Sequence, residues 1–442
     1  MQVAGPNPLM LQQVSERDYL LQITNEKYQQ IIGTSDSIEA VLKEGRLYKA
    51  DYSMLKYMKN GSFPNGVKKY IYAPLGLFAV PPSGSSSRSL MPVAIQCQQP
   101  SVAENPVFTP LDGDNWMVAK SILQMADSNY HELVSHLGRT HLFAEPFVIA
   151  TKRQLPTNHP LRILLEPHFE GTILINYGAH KTLIAPGWDV DALLASTIQS
   201  DQTLAIEGAK SYLHHFNDVM FPKTLANRGV NSAAQLPDYP YRDDGLLIWN
   251  AIHTWVRAYL SNYYINAQQL LEDRALQNWA KELVSEQGGR LQNFGEDASG
   301  TIKTLDYLID AVSAVIFTAS AQHAAVNFPQ GELMTYAPAF PLAVYSPAPT
   351  NPAQAGDFMS MIPSVDRAQN QIKVCYLLGS VYYTQLSKYR KGYFKDKKVN
   401  AALCNFQNRL KEIEEEINNK NSSRLMPYKF LLPSQIPQSI NI

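Results

Sequence analysis

Cysteine is scarce. The 442-residue chain has 3, Cys97, Cys375 and Cys404, too few and too scattered for a disulfide framework or a cysteine metal site. A reducing compartment is the simplest expectation. Charge of either sign is lacking too: 38 Lys and Arg stand against 39 Asp and Glu, a formal net charge of −1. This excludes a globally basic nucleic-acid binder, and no basic run or basic–aromatic interleaving supplies a local one. Met1–Met10 has no basic residue and no long apolar run, which argues against a secretory signal. No run of ~18 uninterrupted apolar residues occurs, so no spanning helix is expected. Lipidation motifs and strongly basic amphipathic helices are missing as well. The expected location is cytoplasmic, with peripheral membrane contact left open. No repeat of fixed period is present.

What is present suffices for a sizeable core: 45% of residues are apolar and 17% charged. Residues 11–60 read as polar amphipathic helices with a short strand near Leu47–Ala50. Tyr70–Val80 and Met91–Cys97 are short apolar runs around a Pro/Ser/Gly segment, as two strands joined by a loop would be. From Asn115 the texture turns helical, with apolar residues at three- and four-residue spacing over Trp116–Ala150 and Leu161–Ile175. Further helices are expected at Leu246–Tyr264, Ala267–Ser285, Thr301–Phe328, Ser364–Ser387 and Asn400–Lys420. A proline-rich loop spans Asn327–Gly356, and Pro427–Ile442 is a mostly extended tail. The expected fold is mainly α: one large helical catalytic domain over 47–442 with a small β element near residues 70–97. Residues 1–46 form a helical extension of the same domain.

Ten histidines are spread along the chain. The densest segment is His131-Glu-Leu-Val-Ser-His136-Leu-Gly-Arg-Thr-His141. His136 and His141 are five residues apart, about 500° on an ideal α-helix, so their side chains diverge by roughly 140°. They meet at one metal only if the turn between them is widened, as in a π-bulge. Two ordinary surface histidines are the commoner alternative. His323 and Asn327 lie at i and i+4 on one face of an apolar helix, where each needs a partner. A core histidine with an amide partner is again the commoner reading. The tail ends on Ile442 after apolar and proline residues that would pack inward. A buried α-carboxylate there would need a cation, whereas a tail in a surface groove would not. Imidazole, amide and carboxylate donors without thiolate suit iron or manganese with an open position better than structural zinc.

These residues are set in a longer series. It includes Tyr72-Ala-Pro-Leu-Gly, Met91-Pro-Val-Ala-Ile-Gln, Trp116 with Ala119-Lys120, and Glu145-Pro-Phe-Val-Ile-Ala-Thr151. His159-Pro160, Tyr241-Arg-Asp-Asp-Gly-Leu246, and Trp249 with Ala251-Ile252 follow. In this order the series resembles the lipoxygenases, non-haem iron dioxygenases of polyunsaturated fatty acids, from about Leu47 to Ile442. The resemblance implies iron held by His136, His141, His323, Asn327 and the carboxylate of Ile442, with manganese as the lesser alternative. It implies that Glu132 and Gln330 orient those ligands from one helical turn away. Ala179 matches the position where alanine or glycine sorts the site of oxygen attack. Leu183 and Leu378 match the leucines that clamp the pentadiene, and Val374 is a further pocket wall. The likeness is to a minimal bacterial-type member without the N-terminal β-sandwich domain. Gly178 stands where animal members carry an arginine, and Phe-Pro-Gln-Gly follows Asn327 where glycine and tyrosine are usual around the glutamine.

The implied reaction takes a hydrogen atom from the methylene between two cis double bonds with Fe(III)–OH and adds O2 to the radical. Linoleate, linolenate and arachidonate are the implied substrates. The alternatives are a fatty-acid hydroperoxide isomerase on the same site and an inactive lipid-binding protein. The implied partners are fatty acid and O2, with transient membrane contact, no nucleic acid and a monomeric chain.

Overall fold

Two long helices that change their winding partway along form the centre of the molecule. In the computed structural model, which describes residues 1–15, 21, 23–62, 66–99, 105–351, 353, 356–380, 384–440 and 442, the first begins as an α-helix, Asp114–Tyr130. It widens into a π-helix over His131–Leu142 and returns to α over Phe143–Gln154. The second starts at Leu305–Phe317, widens at Thr318–Gln322 and ends as His323–Asn327. We call them the His136 helix and the His323 helix.

Local chemistry supports the wide turns. Thr140 Oγ1 donates to the His136 carbonyl at 2.5 Å, and Ser320 Oγ to the Ile316 carbonyl at 2.6 Å. The Thr140 hydroxyl thus serves a carbonyl inside the π-helix, whose amide partner is the fifth residue on, and the Ser320 hydroxyl serves a carbonyl just ahead of the second widened stretch. Pro146 has no N–H to return to Leu142, the last residue of the widened stretch. Thr304 starts the second helix by accepting the Tyr307 N–H. Its apolar run, Leu305–Met334, is long and apolar enough to cross a bilayer by composition, but 94% of the 18 residues that meet that test are buried in the protein, as in a core helix.

The helix Ile198–Leu213, which lies outside the helices expected from the sequence, crosses the π segment closely. Glycine allows the approach. A Cβ on Gly138 would lie 2.9 Å from both the Ala205 carbonyl oxygen and the Ala209 nitrogen, and one on Gly208 would lie 2.9 Å from Val134 Cγ1.

At one end sits a five-stranded antiparallel sheet in sequential order: β1 (Gln12–Gln13), β2 (Leu47–Asp51), β3 (Leu75–Ala79), β4 (Met91–Gln96) and β5 (Val107–Phe108). Side chains alternate between its faces except at a register shift where Leu77 pairs with Ala94 and Phe78 with Pro92, which puts Val93 and Ile95 on opposite faces. Leu47, Leu75, Leu77 and Val93 pack on the short helices Asn25–Ile32 and Ile38–Lys43, whereas Tyr48, Phe78, Val80 and Ile95 join the main core. That core runs continuously from Ala4 to Ile436.

Residues 1–46 depart from a purely helical extension. They carry two helices but also β1, and Leu9, Leu11 and Val14 are buried because they face the core rather than one side of a helix. Residues 16–20 and 22 of the expected amphipathic stretch lie outside the described residues, as do 381–383 of the expected helix Ser364–Ser387. The described part of that helix is Val365–Ser380.

Candidate metal centre

The wide turn brings His136 and His141 to one side of their helix, and the π segment before His323 turns that ring toward them. His136 Nε2 is 3.3 Å from His141 Nε2 and 3.3 Å from His323 Nε2, and the His141–His323 distance is 3.2 Å. All three side chains are buried. Burial pushes the His141 imidazole down to about 3 and holds His323 well below its usual range, each reinforced by a neighbouring histidine, so these rings are neutral. Neutral imidazole is the metal-binding form. Nitrogens at these separations share points about 2.1 Å from each, the length of a metal–imidazole bond. The donor set therefore fits one ion.

Other side chains orient the rings. Asn176 accepts a hydrogen bond from His141 Nδ1 at 2.9 Å and donates to the His141 carbonyl at 3.0 Å, which leaves the Nε2 lone pair free to point inward. Nothing in the sequence singled out Asn176. Its helix, Thr172–Thr182, buries only Thr172 and Asn176. Glu132 Oε2 lies 3.6 Å from His136 Nδ1 and 3.8 Å from His131 Nδ1. His131 stays outside the triad: its Nε2 donates to the Val326 carbonyl at 2.6 Å and ties the two long helices together.

Asn327 is fully buried one turn after His323, and Gln330 Nε2 donates to its Oδ1 at 3.0 Å. Among the described residues Asn327 Nδ2 has no partner. The tail approaches from the opposite side. Leu386 N–H donates to the Ile436 carbonyl, Gln438 N–H to the Thr384 carbonyl, and His168 Nδ1 to the Gln438 carbonyl at 2.7 Å. Ile440 then packs on Ala144 and Ala319, one from each long helix. Ala144 is three residues past His141 and Ala319 four before His323, so the tail runs in beside the triad. His168 also escaped the sequence reading.

Leu183, Val374 and Leu378 line one cavity together with Glu132, Gln330 and Met334. It holds about 20 Å³, room for a water-sized sphere. Anything larger than water therefore requires these side chains to move apart. Cys375 is also in its wall, but burial, with Glu132 nearby, pushes the thiol up, so it offers no thiolate. Ala179 is not in this wall; it lies one turn before Leu183, whose N–H bonds to the Ala179 carbonyl.

A buried, thiolate-free cluster of three histidines on a mainly helical scaffold has the donor set of a non-haem metal site. Comparison with known proteins narrows the class. A family model described as Lipoxygenase matches residues 11–430, and the chain belongs to the lipoxygenase family. The match begins inside the stretch expected to be an extension. The chain is 40% identical to the Linoleate 9/13-lipoxygenase of Pseudomonas aeruginosa, over 100% of this chain and 65% of that protein. It is 32% identical to the Allene oxide synthase-lipoxygenase protein of Plexaura homomalla, over 99% of this chain and 43% of that protein. A lipoxygenase variant crystallised anaerobically with arachidonate superposes with a TM-score of 0.89 at 30% identity, covering 99% of this chain and 65% of that one. The chain thus spans less than two thirds of the length of these relatives.

Proposed function

We propose that this chain is an iron dioxygenase that inserts O2 into the cis,cis-1,4-pentadiene of polyunsaturated fatty acids and releases hydroperoxides. The observation that carries this reading is the triad of Nε2 atoms, 3.2–3.3 Å apart, joined through Glu132, 3.6 Å from His136 Nδ1, to a cavity that Glu132 lines together with Leu183, Val374 and Leu378. His136, His141 and His323 hold the ion, and Asn327 and the carboxylate of Ile442 complete its ligands. Nitrogen and oxygen donors without thiolate favour iron, with manganese second. A bound iron supplies the one-electron oxidation that removes a hydrogen atom from the bis-allylic methylene. The protein supplies the rest. Leu183 and Leu378 grip the pentadiene, Ala179 bears on the approach of O2 from outside this wall, one turn before Leu183, and the buried apolar wall keeps water from the radical. Glu132 and Gln330 hold the ligands in register between cavity and metal. The relative named for linoleate and the neighbour holding arachidonate support this substrate class.

The test pairs metal analysis with oxygen uptake and conjugated-diene absorbance on linoleate, α-linolenate and arachidonate. Near one iron per chain with concurrent uptake and diene formation is the expected result, and alanine at His136, His141 or His323 should remove metal and turnover together. Metal without oxygen uptake, but with loss of added hydroperoxide, would replace this reading with the isomerase. A folded protein with neither metal nor turnover would leave lipid binding.

A further inference from the structure

We infer that the outer face of the helix Thr172–Thr182 is a docking surface for an anionic lipid bilayer, from which the acyl chain enters the neighbouring cavity; the second half rests on the proposed function.

This helix is amphipathic in the reverse sense. At 100° per residue, Ile173, Tyr177, Lys181 and Leu174 fall within an arc of about 100°. The three apolar members are exposed: Ile173 39%, Leu174 75% and Tyr177 62%. The opposite face buries the polar Thr172 and Asn176, the latter holding His141. A helix that turns its polar face inward to a metal site and its leucine, isoleucine and tyrosine outward lacks the usual reason to fold that way in water.

Charge indicates what covers it. Between Glu170 and Asp189 the segment contains no Asp or Glu, so acidic residues stand only at its ends, while His180 and Lys181 close the helix. Lys181 Nζ lies 5.7 Å from the Tyr177 ring centroid, so the cation rides at the edge of the apolar strip. Trp188, 49% exposed, follows in the next loop. Leucine and isoleucine flanked by tyrosine, tryptophan and a lysine on a long stem match an interfacial helix, with aromatic rings at headgroup depth and the ammonium on phosphate. Four apolar side chains are few against the roughly 20–30 residues a side of a specific protein interface. The far end of the segment leads inward, since Leu183, Val190 and Leu193 line the cavity. Bilayer and cavity would thus share one stretch of chain.

The test mixes the full chain with vesicles of phosphatidylcholine alone and with phosphatidylglycerol, and reads partitioning by co-sedimentation and by quenching of tryptophan with brominated lipid. The wild-type chain should bind the anionic vesicles. Leu174→Asp with Tyr177→Asp should weaken that binding by about tenfold or more, and Lys181→Glu by about fivefold on anionic vesicles only. Both variants should keep the wild-type melting temperature and metal content. If the proposed function holds, they should also keep turnover of fatty acid dissolved as monomer while losing it on vesicle-embedded substrate. Unchanged partitioning of both variants would overturn the inference. So would a lipid-free wild-type dimer that the aspartates dissociate, since a second copy would then cover the face. Vesicle binding is read without turnover, so failure of the dioxygenase reading leaves the docking result standing.

Discussion

Replacing His168 with phenylalanine should release the C-terminal tail. The imidazole is buried, with Nδ1 2.7 Å from the Gln438 carbonyl, and burial pushes it down to about 4, so a neutral ring donates that bond. The tail is paired to residues 384–386 on its other edge, and His168 is the side-chain donor on this one. Phenylalanine keeps the flat ring and removes the donor, leaving a buried carbonyl short of its partner. Such a loss costs about 1–3 kcal/mol. The undocked population of the tail should then rise about 5- to 150-fold. Limited carboxypeptidase digestion followed by mass spectrometry reads this directly as faster loss of Ile442. Metal content should fall in parallel if the terminal carboxylate is a ligand. An unchanged digestion rate would refute the clamp. A released tail with full metal content would keep the clamp and remove Ile442 from the ligand set.

Asn176→Leu removes both hydrogen bonds to His141 and should weaken metal binding by about 10–100-fold in chelator competition; unaltered affinity would show that this ring orients itself. Gly138→Ala places a methyl 2.9 Å from backbone atoms of Ala205 and Ala209, which cannot swing aside, and should cost about 1–3 kcal/mol by urea denaturation. An unshifted midpoint would mean that the crossing helix gives way. Asp201 is buried beside Ser196, and burial pushes its carboxyl up to about 7, opposed by the Ser196 hydrogen bond and Lys69. With the folded value above the unfolded one, the folded state binds more protons between about pH 4 and 7, so ionisation removes stability as pH rises through that window. The melting temperature of Asp201→Asn minus that of the wild type should therefore increase from pH 4 to pH 7, and a flat difference would place Asp201 in a wetter setting.

The long helices were legible because their apolar spacing is regular; the five-residue gap from His136 to His141 set a widened turn only as the condition for a shared metal, against two ordinary surface histidines, and the chain makes that turn over His131–Leu142. Asn327, Ile442, Leu183 and Leu378 were marked by family likeness; as bare residues they are an amide, a chain end and core leucines. Asn176 and His168 were hidden because their partners are far off in sequence, 35 and 270 residues away. Ile198–Leu213 was hidden because glycine and alanine, not large apolar residues, make its contact with the π segment. The narrowness of the cavity depends on rotamers, which no spacing rule reports.

The triad also has a history within each molecule's synthesis. His323 lies 187 residues beyond His136, His168 meets a carbonyl 270 residues later, and Ser135 bonds back across 128 residues to Asn7. Contacts of such reach form late and slowly. While the chain is still emerging from the ribosome, His136 and His141 have neither their third partner nor the tail beside Ile440. A metal captured then would sit in an open, wet site. An ion held by all three rings therefore requires the chain to have been made at least as far as His323.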